Sequence, residues 1–144
     1  MDINRYVYSL HKYFIWADRM RHHFDKNLEA GYDKKNKRQR FDLVLYLSYW
    51  YAALYVVVEG WQDLGLHDPR IDKLLESKNL NLLKRFRNAV FHFQRIYFND
   101  RCLEFISEGE KCVDWIRGLN SEFSRFFLSW ATTSFEFDPR NCKT

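Results

Sequence analysis

The sequence has few of the residues that end helices or form tight turns. It contains two prolines and five glycines among 144 residues, whereas a fold built from short strands needs such residues at regular intervals. Long segments instead repeat apolar residues every three or four positions, which is the period of an α-helix. We therefore expect an all-α protein with almost no β structure.

Cysteines are also scarce, and no apolar stretch reaches the length of a membrane span. The three cysteines are an odd number, and the N-terminus lacks the apolar stretch of a secretion signal, so we expect reduced thiols in a cytoplasmic protein. The longest uncharged run covers residues 43–58 and includes four tyrosines. A transmembrane helix needs roughly 18 to 20 apolar residues, so we interpret this run as a buried central helix and expect no membrane partner.

Motifs for common cofactors are missing as well. The sequence has no glycine-rich phosphate loop, and no cysteine stands at helical spacing from a histidine that could activate it. Asp18 with His22, and Glu59 with Asp63 and His67, are spaced four residues apart as metal ligands on a helix can be. A metal-binding helical bundle is therefore an alternative, although no Glu-x-x-His pair accompanies these residues and we expect no cofactor.

Aromatic side chains, by contrast, are abundant and make up 19% of the residues. So many rings predict large buried surfaces, including one between subunits. The net charge of +4 permits a polyanionic partner without requiring one.

The apolar period predicts a single-domain bundle of four to five helices over residues 1–131, followed by an irregular tail at 132–144. We expect helices from about Ile3 to Leu28, Phe41 to Leu64, Pro69 to Leu75 and Leu80 to Phe98, and a further helical region, interrupted near Gly109, that reaches Trp130. The expected core positions of the first helix are Val7, Leu10, Phe14, Ala17, either Met20 or Arg21, and Phe24. Those of the last region are Phe105, Val113, Ile116, Leu119, Phe123 and Phe126.

The helix predicted from Leu80 to Phe98 has two different faces. Its core side is expected to carry Leu82, Phe86, Ala89, Val90, Phe93 and Tyr97. Its opposite side is a polar seam of Lys84, Asn88, His92, Arg95 and Asn99, with Arg87 on the flank. The large rings of Phe91 and Phe98 edge this seam and should not stay in water on a monomer, so we expect a contact with a second copy about a two-fold axis.

The segment Arg87-Asn88-Ala89-Val90-Phe91-His92 resembles the Arg-x-x-x-x-His motif of the HEPN superfamily, including the polar residue after the arginine. The motif also lies on a late long helix of a bundle, as it does in that family. The resemblance implies a homodimer through the Arg87–Phe98 helix with a composite site at the interface. It further implies a metal-independent endoribonuclease that acts as a toxin or antiviral effector, with an antitoxin or regulatory protein as partner.

The side chains of the motif suit RNA cleavage. His92 can exchange a proton with a ribose 2′-hydroxyl or a leaving 5′-oxygen, and Arg87 can hold the phosphate in its transition state. Asn88 can orient the imidazole or donate to phosphate. Products would carry a 2′,3′-cyclic phosphate and a 5′-hydroxyl, so DNA should resist. Substrate binding is assigned to Lys84, Arg85, Arg95 and Arg101, with the basic loop at residues 34–40 as a weaker candidate.

A non-catalytic interpretation of the motif also stays open. Arg87 could form a surface ion pair with a carboxylate on a neighbouring helix, while Asn88 and His92 could simply be solvated, which would leave a HEPN-like interaction or RNA-binding module. In addition, toxins that carry a tyrosine two residues after the histidine are controlled by nucleotidylation, and this chain has Gln94 there. That form of control is not expected here.

Overall fold

The computed structural model of the protein describes residues 2–31, 33, 35–97, 104–105 and 111–134. All regular structure within these ranges is helical. The five helices are α1 (Ile3–Glu29), α2 (Lys37–Asp63), α3 (Pro69–Leu75), α4 (Asn79–Phe91) and α5 (Cys112–Ser134). The prediction of an all-α, single-domain bundle is confirmed.

Short polar side chains and glycines mark the helix boundaries. Asp2, Asn36 and Asp68 are the N-caps of α1, α2 and α3, and the side chain of each accepts a hydrogen bond from a backbone N–H of the following turn. These bonds satisfy donors that have no partner inside the helix. Gly31 and Gly65 follow the ends of α1 and α2 with φ of 75° and 64°, a conformation that glycine adopts without strain.

Helix α2 lies at the centre of the bundle. Helix α1 runs antiparallel to it, with Leu10 against Gly60 near one end and Phe24 against Trp50 near the other. Helix α5 closes the bundle, because Asn120 accepts a hydrogen bond from the Trp50 indole across the core. By length and composition α2 could also cross a membrane, and 44% of its most apolar stretch is buried inside the fold.

Helix α4 also runs antiparallel to α2. The Phe86 ring lies 5.9 Å from the Tyr51 ring, and five residues later the Phe91 ring lies 5.7 Å from the Tyr49 ring. A step of five residues forward along α4 therefore leads backward along α2, so the two helices run in opposite directions.

The core predicted for α1 is confirmed, and that predicted for the last helix is confirmed in large part. The buried residues of α1 are Val7, Leu10, Phe14 and Ala17, with Met20 and Phe24 packed against them. Phe105, Ile116, Leu119 and Phe123 are also buried as expected. Val113 is exposed instead, because the first turn of α5 directs Cys112 and Trp115 to the core.

Three predicted boundaries are wrong. Helix α2 begins at Lys37 rather than near Phe41, since Asn36 caps it within the segment predicted as a loop. Helix α5 continues to Ser134, so residues 132–134 are not irregular; residues 135–144 lie outside the described part. Helix α4 ends at Phe91 and not at Phe98.

The early end of α4 changes the predicted exposure of the residues that follow it. Phe93 is 92% exposed and Tyr97 is 84% exposed, although the helical period assigns both to the core. Helical turns without packing partners are marginal in water, so the period alone does not extend the helix. Phe98 and Asn99 lie outside the described residues.

Candidate functional site

Arg87 lies on the flank of α4 that faces α2, and most of it is buried. Its Nη1 donates to Glu59 Oε2 at 2.6 Å, and its Nε donates to Asn88 Oδ1 at 2.9 Å. The guanidinium carbon lies 4.9 Å from the centre of the Tyr55 ring, a cation–π geometry. Only 16% of the Arg87 side chain is exposed, compared with 53% for Glu59, so the arginine is held in one orientation.

The Tyr55 phenol beneath Arg87 stays neutral at ordinary pH. Burial raises its pKa, the negative charge of Glu59 raises it further, and the charge of Arg87 opposes both. The neutral phenol offers its π face to the Arg87 guanidinium. A phenolate would instead compete with Glu59 for the positive charge of Arg87.

His92 is next to this cluster in sequence but does not continue the helix. It is exposed, and its backbone is extended, with φ of −109° and ψ of 131°. Its backbone N–H donates to the Asn88 carbonyl, and its own carbonyl accepts from Gln94 Nε2 at 2.9 Å. The imidazole itself makes no hydrogen bond with any residue in the described ranges.

The predicted polar seam is therefore only partly formed. Lys84 is exposed and Asn88 half-buried on α4, but His92 and Arg95 follow the helix and are not aligned with them. Asn88 is bonded to Arg87 and not to the His92 ring, so it does not orient the imidazole in this structure, and its other predicted role, donation to phosphate, stays a prediction.

The basic residues predicted to bind substrate differ in their surroundings. Lys84 and Arg95 are exposed, and no carboxylate of a described residue pairs with them. Arg85 is instead engaged within the chain, because its Nε lies 2.9 Å from Glu104 Oε2. Arg101 lies outside the described residues.

The basic loop is largely part of α2. Among its cations, Lys35, Lys37, Arg38 and Arg40 are exposed and form no ion pair with the described carboxylates. No carboxylate of a described residue therefore offsets their positive charge at the N-terminal end of α2.

The metal ligands considered from the sequence are not assembled. Asp18 accepts hydrogen bonds from Arg21 and Asn120, Glu59 is paired with Arg87, and His67 Nδ1 lies 3.3 Å from Asp72 Oδ2. No group of three or more potential ligands occurs in the residues that the structure describes. A metal-binding bundle thus has no geometric support here.

Sequence reasoning did not identify Glu59 and Tyr55 as neighbours of Arg87. Both lie on α2 four residues apart, a spacing that puts them on one face, but nothing in the sequence shows that this face meets Arg87. The ion pair expected under the non-catalytic interpretation is nevertheless present.

No protein-family model matches the chain, and no curated protein or solved structure is similar to it at a significant level.

Proposed function

We propose that the protein is a homodimeric, metal-independent endoribonuclease of the HEPN type, with Arg87, Asn88 and His92 as its catalytic residues. The observation that supports this is the state of Arg87. Glu59 and Asn88 hold its Nη1 and Nε groups, while Nη2 makes no hydrogen bond with a described residue. A fixed guanidinium with an unused donor is suited to a phosphate oxygen.

The chemistry follows from the acid–base properties of the imidazole. His92 takes the proton of a ribose 2′-hydroxyl, the 2′-oxygen attacks phosphorus, and the bond from phosphorus to the 5′-oxygen breaks. The 5′-oxygen receives a proton from an imidazolium, which the His92 of a second copy supplies in a composite site. Arg87 stabilises the extra negative charge on the phosphoryl oxygens.

Substrate would reach this site over exposed cations. Lys84 and Arg95 flank it, and the uncompensated charges of Lys37, Arg38 and Arg40 lie further along α2. Counterion release from RNA makes such binding strongly salt-dependent. In keeping with the odd number of cysteines, we place this activity in the reducing cytoplasm, as that of a toxin or antiviral effector restrained by a regulatory protein.

A second candidate function is a HEPN-like interaction module without catalysis. The same Arg87–Glu59 ion pair favours it, because an arginine neutralised within its own chain attracts a phosphate less strongly. In that case the contacts of Arg87 with Glu59 and Tyr55 only hold α4 against α2, and the exposed surface beyond Phe91 would bind another protein.

Cleavage assays separate the two candidates. Purified wild-type, His92→Ala and Arg87→Lys proteins are incubated with labelled RNA in EDTA, and the product ends are mapped. The ribonuclease predicts cleavage by the wild type that leaves 2′,3′-cyclic phosphates, a loss of about 10²- to 10⁴-fold for His92→Ala, and intact DNA.

Retention of the cleavage rate by His92→Ala would remove this histidine from the mechanism. Absence of cleavage by the wild type over varied RNAs would favour the interaction module. Lys12→Ala serves as a control for the replacement of a basic residue outside the site, because Lys12 contacts Tyr13 and Trp16 on α1, which does not contribute to the site.

A further inference from the structure

The face of α2 that α4 covers continues beyond the end of α4. Helical spacing places positions 41, 45, 48, 52, 55 and 59 along one side of α2. Ala52 and Tyr55 on this side are buried near α4, whereas Phe41 is 62% exposed and the adjacent Val44 is 61% exposed. The apolar face is thus covered in its C-terminal half and open in its N-terminal half.

The chain that follows α4 has the sequence of two further helical turns. Leu83 and Phe86 are buried on α4 and Val90 is packed against the core, and Phe93 and Tyr97 continue this stripe at the same spacing. No glycine or proline occurs between Asn79 and Tyr97. The apolar side chains of this segment, Phe93 and Ile96 among them, are nevertheless largely exposed.

The alignment of the two helices brings these two exposed stretches together. Phe86 contacts Tyr51 and Phe91 contacts Tyr49, and antiparallel helices rise equally per residue, so one residue forward on α4 corresponds to about one residue back on α2. Counted from these two contacts, Phe93 comes level with residues 44–47 of α2. One turn further, Tyr97 comes level with residues 40–43, the turn that contains Phe41.

We propose that residues 92–97 close onto the open face of α2 as an extension of α4, and that this closure sets His92 in helical register with Asn88. Phe93 then covers Val44, and Tyr97 covers Phe41. Each aromatic ring removes on the order of 150–250 Å² from water when fully buried, which offsets the ordering of six residues. In this closed state His92 lies one turn after Asn88 on the outer side of the helix, and Arg87 lies on the adjoining flank against α2, so a phosphate at this edge can contact all three.

A cysteine pair tests the closure directly. Val44→Cys and Phe93→Cys are combined in a chain with Cys102→Ser, Cys112→Ala and Cys142→Ser, and are oxidised at low protein concentration. The matched control is Val44→Cys with Arg95→Cys, because position 95 lies on the opposite side of the extended helix from position 93. We expect the intrachain disulfide between positions 44 and 93 to form about tenfold faster than that between positions 44 and 95, since the bond requires close and correctly directed β-carbons.

Equal rates in the two pairs would overturn the proposal, because they would show that the segment does not adopt a fixed helical register. A disulfide that forms only between chains would overturn it as well and would assign the open face of α2 to a second copy. Neither outcome depends on the protein being a ribonuclease.

The placement of His92 for catalysis rests on the proposed function and is tested separately. Gln94→Pro blocks the extension, since proline lacks the N–H of that turn and disfavours helix at Phe93. Gln94→Ala also removes the bond to the His92 carbonyl but permits the helix. We expect RNA cleavage to fall about tenfold more in the Gln94→Pro variant than in the Gln94→Ala variant. Equal activities of the two variants would overturn the positioning of His92, even if the disulfide between positions 44 and 93 forms selectively.

Discussion

At the scale of single residues, polar contacts that are buried or partly buried connect α1, α2 and α5. Asn120 is 4% exposed; it accepts a hydrogen bond from the Trp50 indole at 3.0 Å and donates one to Asp18 at 3.0 Å. Arg117 forms two hydrogen bonds with Asp25. Because a buried polar group without a partner is costly, each of these residues depends on the others.

Replacement of Asn120 should therefore be strongly destabilising. Asn120→Ala leaves the Trp50 N–H buried without an acceptor and removes a donor from Asp18, so we expect a loss of about 2–4 kcal/mol in the free energy of unfolding. Urea denaturation measures the change, and Ser121→Ala on the exposed side of α5 is the control. A loss no larger than that of the control would show that the indole finds another acceptor.

The pH dependence of stability should have two separate steps in acid. Burial lowers the pKa of His11, which stacks on Phe127, so its neutral form favours the folded state above pH 6.5 and this stability is lost as the pH falls through the lower folded pKa. Hydrogen bonds from Arg117 lower the pKa of Asp25 against the opposing effect of burial. The charged Asp25 therefore stabilises the folded state above the usual carboxyl pKa of 3.8, and this stability is lost as the pH falls through the lower folded pKa.

Thermal unfolding measured from pH 7.5 to pH 2.5 tests both steps. His11→Gln should remove the dependence just below pH 6.5, and Asp25→Asn should weaken the fall in strong acid while lowering stability at neutral pH. Unchanged profiles in these variants would assign the pH dependence to other groups.

At the scale of elements, the helices could be predicted from the sequence, but the contacts between them could not. The apolar period identified the buried face of α1, because Val7, Phe14 and Ala17 are buried wherever that helix packs. The same period extended α4 to Phe98, since it carries no information on whether a neighbour is present to cover the next turn. The pairing of Arg87 with Glu59 depends on the alignment of α4 on α2, which no local pattern specifies.

The two glycines inside long helices should respond in opposite ways to alanine. A Cβ at Gly60 would lie 2.5 Å from Cδ1 of Leu10, whereas a Cβ at Gly118 would have nothing within 4 Å. Gly60→Ala should destabilise by about 1–3 kcal/mol through overpacking against α1, partly offset by helix propensity. Gly118→Ala should stabilise by up to about 1 kcal/mol through propensity alone.

Chemical denaturation of the two variants beside the wild type measures this contrast. If Gly60→Ala proved as stable as Gly118→Ala, the close approach of α1 and α2 would have to relax without cost.

At the scale of the whole molecule, one group of exposed apolar side chains lies on the N-terminal half of α2 and around the end of α4. Phe41, Val44, Phe93 and Ile96 are more than half exposed, and Phe91 is 43% exposed. A monomer rarely keeps so many large apolar groups together in water. The proposed closure of residues 92–97 covers Phe41, Val44 and Phe93 but not Phe91, so the exposure of Phe91 supports the proposed homodimer.

The oligomeric state should consequently depend on Phe91. Sedimentation of the wild type should give about twice the chain mass of 17.7 kDa, and Phe91→Lys should shift the equilibrium towards the monomer because it buries a charge in the contact. Leu128→Lys is the matched control, since Leu128 is also exposed but lies on α5. A monomeric wild type at all accessible concentrations would contradict the homodimer and the composite site with it.

The tryptophans of the core give the molecule an intrinsic optical signal. The indole N–H groups of Trp50, Trp61 and Trp115 each donate to an oxygen inside the fold, while Trp16 is more than half exposed. Emission from the three enclosed indoles should lie at short wavelength and resist quenching by iodide, whereas that of Trp16 should be quenched. Opening of the helix bundle therefore becomes visible as a red shift without any added label.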